Sequence, residues 1–287
     1  MPALEIKGLC KSFKDFSLKG IDLTLEKGYI MGFIGPNGAG KSTTIKLIMN
    51  LLKKDDGEIR IFGRDHIEDE RYVKNKIGFV YDENHFYEEL TVSEMKWVIA
   101  SLYKTWDENA YKKYIKQFQL PPKKKIKELS KGMKMKFSLA IALSHNADLL
   151  IMDEPTSGLD PLVRSELLDI LSDIIQDENK AVFFSTHITS DLDKIADYIA
   201  MIHQGEIVLN MAKDDMIESF CIVKGANSLL EKVSKSALIG LKENRYGFEA
   251  LIKDRKSAKK LFGDNILVEK PAIEDIMLFY TRGEQNA

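Results

Sequence analysis

The sequence predicts an α/β fold: a parallel sheet with a phosphate-binding loop at the end of one strand. Three observations predict it. The apolar run YIMGFI at 29–34 leads at once into the glycine-rich turn GPNGAGKS and then into TTIKLIMNLL, whose apolar residues recur at helical spacing. Three further short apolar runs read as buried parallel strands with helical segments between them: LLIM at 149–152, AVFFS at 181–185 and YIAMI at 198–202. Of the 287 residues, 44% are hydrophobic and 30% charged, the balance of a globular domain and not of a disordered chain.

Taken in order, segments 3–9 and 21–26 read as strands, and IRIF at 59–62 as another. Residues 90–147 change character. They are mostly helical by pattern, with Pro121-Pro122 as a break. Lysines crowd 112–136; they form either a solvated basic surface or a contact with phosphates or acidic headgroups. Beyond about 211 the signals weaken. FCIVKG, ALIGL and YGFEALI resemble small strands, and PAIEDIMLFYTR reads as a terminal helix with Pro271 near its start. No internal repeat or low-complexity tract is visible.

Several function classes are disfavoured. A formal net charge of −2 supplies no global field for nucleic acid. Cys10 and Cys221 lie far apart and form no CxxC, so a disulfide framework or cysteine metal site is not expected, and a reducing compartment fits. Glu5, Lys7 and Lys11 interrupt the N-terminus, so no signal peptide is expected. No uncharged apolar run reaches the about 18–20 residues that span a bilayer. The longest begins at Phe137 and is broken by His145, Asn146 and Asp148. Any membrane span is expected from another chain.

Two motifs carry chemistry. Residues 35–42 match GxxxxGK[ST]. Across Gly35, Pro36, Asn37, Gly38, Ala39 and Gly40, backbone N–H groups turn inward around phosphate oxygens, and the helix that follows adds its positive dipole end. Lys41 supplies a point charge for the β- and γ-phosphates, Ser42 a hydroxyl ligand for Mg²⁺, and Thr43 ends the set of ATP-binding residues. A chance match in a chain of this length has odds of about one in a hundred. LLIMDE sets Asp153 at a strand tip, where it orients Mg²⁺. Glu154 follows and is expected on the other side of the strand, as a general base for the attacking water.

With these residues in place, the chain resembles the nucleotide-binding subunits of ATP-binding cassette (ABC) transporters, exporter-type, over about residues 1–210. The resemblance implies a P-loop NTPase core with a parallel sheet, an N-terminal antiparallel β subdomain, an inserted helical subdomain at about 85–145, and a small C-terminal α/β appendage at 211–287. LSKGM at 129–133 sits where the family has LSGGQ, the loop that closes on the γ-phosphate held by the opposite subunit. Ser130 and Gly132 keep the pattern; Lys131 replaces glycine and Met133 replaces glutamine. SGLDP at 157–161 resembles the loop that touches the partner subunit, with Asp160 its key acid. His187 resembles the family's switch histidine, and Phe13 the aromatic that stacks on adenine. Asp82 stands where the family usually has a glutamine that ligands Mg²⁺ and senses the membrane subunit.

The resemblance implies an ATPase that uses ATP and Mg²⁺. Two subunits would sandwich two ATP molecules. An intact catalytic set favours a homodimer over a heterodimer. An integral membrane permease would dock near 80–100, placing the chain peripherally at the cytoplasmic face of the cell membrane, with no nucleic acid bound. Export of a peptide, drug or lipid-like cargo is the expected work. The alternative is a soluble cassette ATPase. Translation-type members carry two cassettes in one chain, and DNA-repair members insert long coiled coils; this chain has one cassette and no sustained heptads. Iron–sulfur assembly stays open.

Overall fold

The computed structural model describes residues 1–81, 85–234 and 237–282. Apolar alternation in the first segments produces an antiparallel sheet. β1 (Leu4–Ser12) and β2 (Ser17–Leu25) pair from Leu4↔Leu25 to Ser12↔Ser17, and β1 also pairs with β4 (Asp56–Ile61). β5 (Arg64–Asp65) closes the order β2-β1-β4-β5. Leu4, Ile6, Leu18, Ile21, Leu23 and Ile59 form its buried face. This is the antiparallel subdomain expected at the N-terminus.

The second sheet has the order β10-β9-β3-β8-β7-β6. Its parallel strands are β3 (Ile30–Ile34), β6 (Ile77–Val80), β7 (Leu149–Asp153), β8 (Ala181–Thr186) and β9 (Tyr198–His203). β10 (Glu206–Ala212) runs antiparallel at the edge. The strands read as unbroken apolar runs because both faces are covered. Met31, Phe33, Ile151 and Phe183 point into a core shared with the antiparallel sheet and α1 (Lys41–Ile48). Ile30, Ile34, Met152 and Phe184 point into the opposite core. β3, β7, β8 and β9 are the four apolar runs legible in the sequence. β6 is not legible there, because IGFV is short and leads directly into the junction segment.

α2 (Glu70–Lys76) leads into β6, and between β6 and β7 lie α3 (Val92–Ala100), α4 (Glu108–Gln117) and α5 (Lys131–Ser144). Thr91 and Glu94 form a capping box on α3, Asp107 caps α4 and Ser130 caps α5. The lysine-rich stretch meets acids across the surface: Lys125 and Lys127 pair with Glu89, Lys134 with Glu88, and Lys136 with Glu166. The helical layer is tied to the sheet at His145, which ends α5. Its Nε2 faces the Ile77 carbonyl at 2.9 Å and its Nδ1 the Ile141 carbonyl at 3.2 Å, while Tyr103 stacks on the ring at 4.0 Å.

α6 (Pro161–Ile174) and α7 (Thr189–Ile195) follow β7 and β8. Beyond β10 come α8 (Lys213–Ser219) and a third, antiparallel sheet of order β12-β13-β11-β14: β11 (Phe220–Gly225), β12 (Gly240–Asn244), β13 (Gly247–Lys253) and β14 (Leu267–Glu269). Val223, Phe248 and Ala250 face α9 (Arg255–Phe262). Phe220, Ile222 and Leu251 face the other way and join the main core with Ile273, Ile276 and Phe279 of α10 (Ile273–Arg282). A Cβ on Gly240 would lie 2.6 Å from the Phe279 carbonyl oxygen, so glycine is what lets α10 approach β12. No helix among the described residues is long and apolar enough to cross a membrane.

Burial holds the imidazoles of His66 and His145 neutral, pushing both below their ordinary range. In the unfolded chain they titrate near 6.5, so below that pH the unfolded chain binds more protons and folding stability falls. We predict that Tm drops as pH is lowered from about 7 to about 5. His145→Gln is expected to be less stable throughout but to lose less over that interval; an equal pH slope for wild type and variant would remove His145 from the effect.

Candidate functional site

In a parallel sheet all C-terminal strand ends lie on one edge, and loops there converge on one crevice. β3 neighbours β8, and β8 neighbours β7, with Ile34↔Thr186 and Asp153↔Ser185 in register. Pairing therefore brings the loop 35–42, the carboxylates at the end of β7 and the histidine after β8 to one edge of the sheet.

Gly40 forms the N-cap of α1 at φ 116, a backbone that favours glycine, and a Cβ there would lie 2.6 Å from Leu18 and 2.9 Å from Phe16. No side chain caps α1, so its first N–H groups are offered to an anion. The turn between β9 and β10 clamps the loop from outside: Gly205 N donates to the Ala39 carbonyl at 3.1 Å, and Lys19 N donates to the Gly205 carbonyl at 2.9 Å. Lys41 is buried. Its ammonium donates to the Gly35 carbonyl at 2.7 Å and lies 3.3 Å from Glu154 Oε1.

β7 ends at Asp153, and Glu154 stands at φ 49, a left-handed conformation that non-glycine residues seldom adopt. This corrects the expectation that Glu154 sits across the strand by pleat alternation. The strand has ended, and the left-handed turn aims the carboxylate along the sheet edge instead. Glu154 Oε2 lies 2.7 Å from His187 Nδ1; an ionised carboxylate accepts only, so Nδ1–H is the donor. Ser185 links the two acids: its hydroxyl donates to Asp153 Oδ1 at 2.6 Å and accepts from Glu154 N at 3.0 Å.

A cleft of about 600 Å³ opens here, lined by Phe16, Asn37, Gly38, Gly40, Lys41, Ser42, Thr43, Glu154, Ser157 and His187. Phe16 is the aromatic at its wall. Phe13 is exposed, its ring centroid 6.4 Å from that of Phe16. Phe16, Ser185 and Gly205 are not among the residues expected from the sequence. Phe16 left a signal, an apolar residue in the short polar turn KDFS; the other two left none, because they act through tertiary bonds.

The signature residues stand elsewhere. Ser130 accepts from Met133 N at 3.3 Å, and Gly132 packs so close to α6 that a Cβ would lie 2.9 Å from Val163. A Cβ on Gly158 would lie 3.3 Å from the Lys131 ammonium. Asp160 Oδ1 caps α6, accepting from Leu162 N and Val163 N at 3.1 and 3.0 Å. These two loops thus adjoin one another, and neither Ser130–Met133 nor Asp160 lines the cleft of its own chain. Asp82 lies outside the described residues. Its neighbour Tyr81 has its phenol pushed up by burial and by the charge of Asp153.

Residues 18–157 match the family model described as ABC transporter. The chain is 32% identical over 202 residues to the bacitracin transport ATP-binding protein BcrA of Bacillus licheniformis, a match that covers 70% of this chain and 66% of that protein. It is 34% identical over 214 residues to the lantibiotic transport ATP-binding protein SrtF of Streptococcus pyogenes, covering 74% of this chain and 91% of that one. A solved structure of an ATP-binding subunit of an ABC transporter superposes with a TM-score of 0.69 at 28% identity, over 75% of this chain and 91% of the other.

Lys41→Ala removes a buried cation from the mouth of this loop. Charge-assisted bonds of this kind contribute about 1.5–3 kcal/mol each, so ATP affinity should fall at least about tenfold. Titration with a fluorescent ATP analogue measures this, and unchanged affinity would exclude loop 35–42 as the phosphate site.

Proposed function

The chain belongs to the ABC transporter ATP-binding family, and from that premise we propose that it binds ATP with Mg²⁺ and hydrolyses it to power export of a peptide-like cargo through a separate membrane subunit. The observation that carries the hydrolytic reading is the placement of Glu154, 2.7 Å from His187 and 3.3 Å from Lys41, beside the phosphate loop.

Each residue has a distinct task. Loop 35–43 and the N-terminus of α1 hold the phosphates, with the Lys41 charge on the β- and γ-phosphates. Glu154 accepts the proton of the attacking water. His187 holds the Glu154 carboxylate through Nδ1–H, in addition to the γ-phosphate contact expected of it. Phe13 and Phe16 offer aromatic surface for the adenine. Ser42 and Asp153 are hard oxygen donors and fit Mg²⁺, which keeps several waters and needs few protein ligands. Bound there, Mg²⁺ would neutralise phosphate charge.

Ser130, Lys131, Gly132, Met133 and Asp160 lie away from the chain's own cleft, which supports their acting on the ATP of a second copy, in a homodimer. We assign a nucleotide-binding unit to 1–210 and an extension to 211–287 because the third sheet is distinct from the parallel one, while one of its faces and α10 pack into the same core. The peptide reading of the cargo rests on relatives named for bacitracin and lantibiotic transport. A partner permease would hold the chain at the cytoplasmic face of the membrane.

Glu154→Gln keeps the shape of the side chain and loses the base. It should bind ATP normally, turn over at under about one hundredth of the wild-type rate, and accumulate as an ATP-bound dimer in gel filtration. Wild-type turnover in this variant would exclude Glu154 as the base. Purification from detergent-solubilised membranes should bring an integral membrane protein with it; recovery without one would overturn the transporter reading.

A further inference from the structure

Four residues past His187 stands Asp191, a carboxylate with no exposed surface. Thr156, two residues past Glu154 and itself buried, donates its hydroxyl to Asp191 Oδ2 at 2.6 Å. Arg164, on α6 four residues past Asp160, donates Nε to Asp191 Oδ1 at 2.6 Å and Nη2 to Ser190 Oγ at 2.6 Å. Each oxygen of the carboxylate is thus engaged by a different segment. Asp191, Thr156 and Arg164 do not line the cleft.

From this geometry we infer that Asp191 is a positioning residue for hydrolysis: it locks the loop after Glu154 and the first turn of α6 to the segment after His187, and thereby sets the contact between Glu154 and His187. Glu154 and His187 end neighbouring strands but are not themselves in the sheet, so pairing fixes the strands and leaves the two side chains to their loops. Those loops are short, and a residue spans at most about 3.3–3.6 Å. A fixed point two residues beyond Glu154 and four beyond His187 leaves little room for either to shift. A buried carboxylate needs its lone pairs met, and guanidinium and hydroxyl meet them in one geometry. Misplacing a reacting group by about 1 Å is enough to cost up to about a hundredfold in rate. α10 packs on α7, the helix that carries Asp191.

The inference rests on the reading of Glu154 and His187 as the hydrolytic pair. The test uses the full-length protein and compares Thr156→Val, which keeps the volume and removes the hydroxyl, with Thr156→Ser, which keeps the hydroxyl. Steady-state ATPase rates and ATP affinity are measured for both. Thr156→Val is expected to lower kcat about tenfold with affinity within about twofold of wild type, and Thr156→Ser to stay within about twofold in both. Arg164→Lys keeps the charge and cannot make both of Arg164's bonds; it should lower kcat in the same selective way, and it carries the test alone if Thr156→Val does not fold. A wild-type kcat in Thr156→Val or Arg164→Lys overturns the inference. So does a parallel loss of affinity and kcat, which is what a merely structural role would give. Glu154→Gln, run alongside, separates the two failures: if it still hydrolyses ATP, the assignment of the site is wrong, and if it is inactive while Thr156→Val is normal, the role of Asp191 alone is wrong.

Discussion

The parallel pairing of β3, β8 and β7 is the constraint on which the site depends. Register places Ile34 beside Thr186 and Ser185 beside Asp153. Everything chemical then follows within a few residues of those strand ends: the phosphate loop after Ile34, the two acids at and after Asp153, the histidine after Thr186. Pairing of this kind is enforced from both sides, since the odd and even residues of each strand belong to different cores. A one-residue slip would exchange the two faces and move the strand ends apart.

Beyond the strand ends, precision is carried by polar side chains in buried positions. Ser185 is the economical case, one hydroxyl that holds the Asp153 carboxylate and the Glu154 amide together. It also helps to hold Glu154 in its left-handed backbone, a conformation that costs about 1–3 kcal/mol for a residue other than glycine. Strain of this size persists where the surroundings over-determine it. Here they do so through Ser185 on the amide and through Lys41 and His187 on the carboxylate.

The remaining layers frame this edge. The β9–β10 turn holds the phosphate loop against the antiparallel sheet through Ala39 and Lys19. α5, with the signature at its N-terminus, is anchored at its other end by His145 on the Ile77 carbonyl. The third sheet and α10 complete the core beside α7, so the segment that follows His187 is packed from behind. Ser130–Met133 thus stand at the start of a helix whose opposite end is buried.

Much of this was legible in the sequence, for reasons that differ by residue. Apolar runs revealed β3, β7, β8 and β9 because strands covered on both faces need no polar alternation. The loop 35–42 was legible because glycine spacing, lysine and hydroxyl are local requirements of phosphate binding. Glu154 and His187 were legible as residues, and the family resemblance gave their roles. Their contact was not legible, because the orientation of Glu154 comes from a left-handed turn that a glutamate does not advertise. Phe16 was decided by tertiary structure on a faint local signal, and Ser185, Gly205 and Asp191 by tertiary structure alone. Each matters through a partner distant in the sequence: Gly40, Asp153, Ala39 and Arg164 respectively. Local sequence fixes what a residue can offer, and the packing of non-neighbouring strands and helices decides which group receives it.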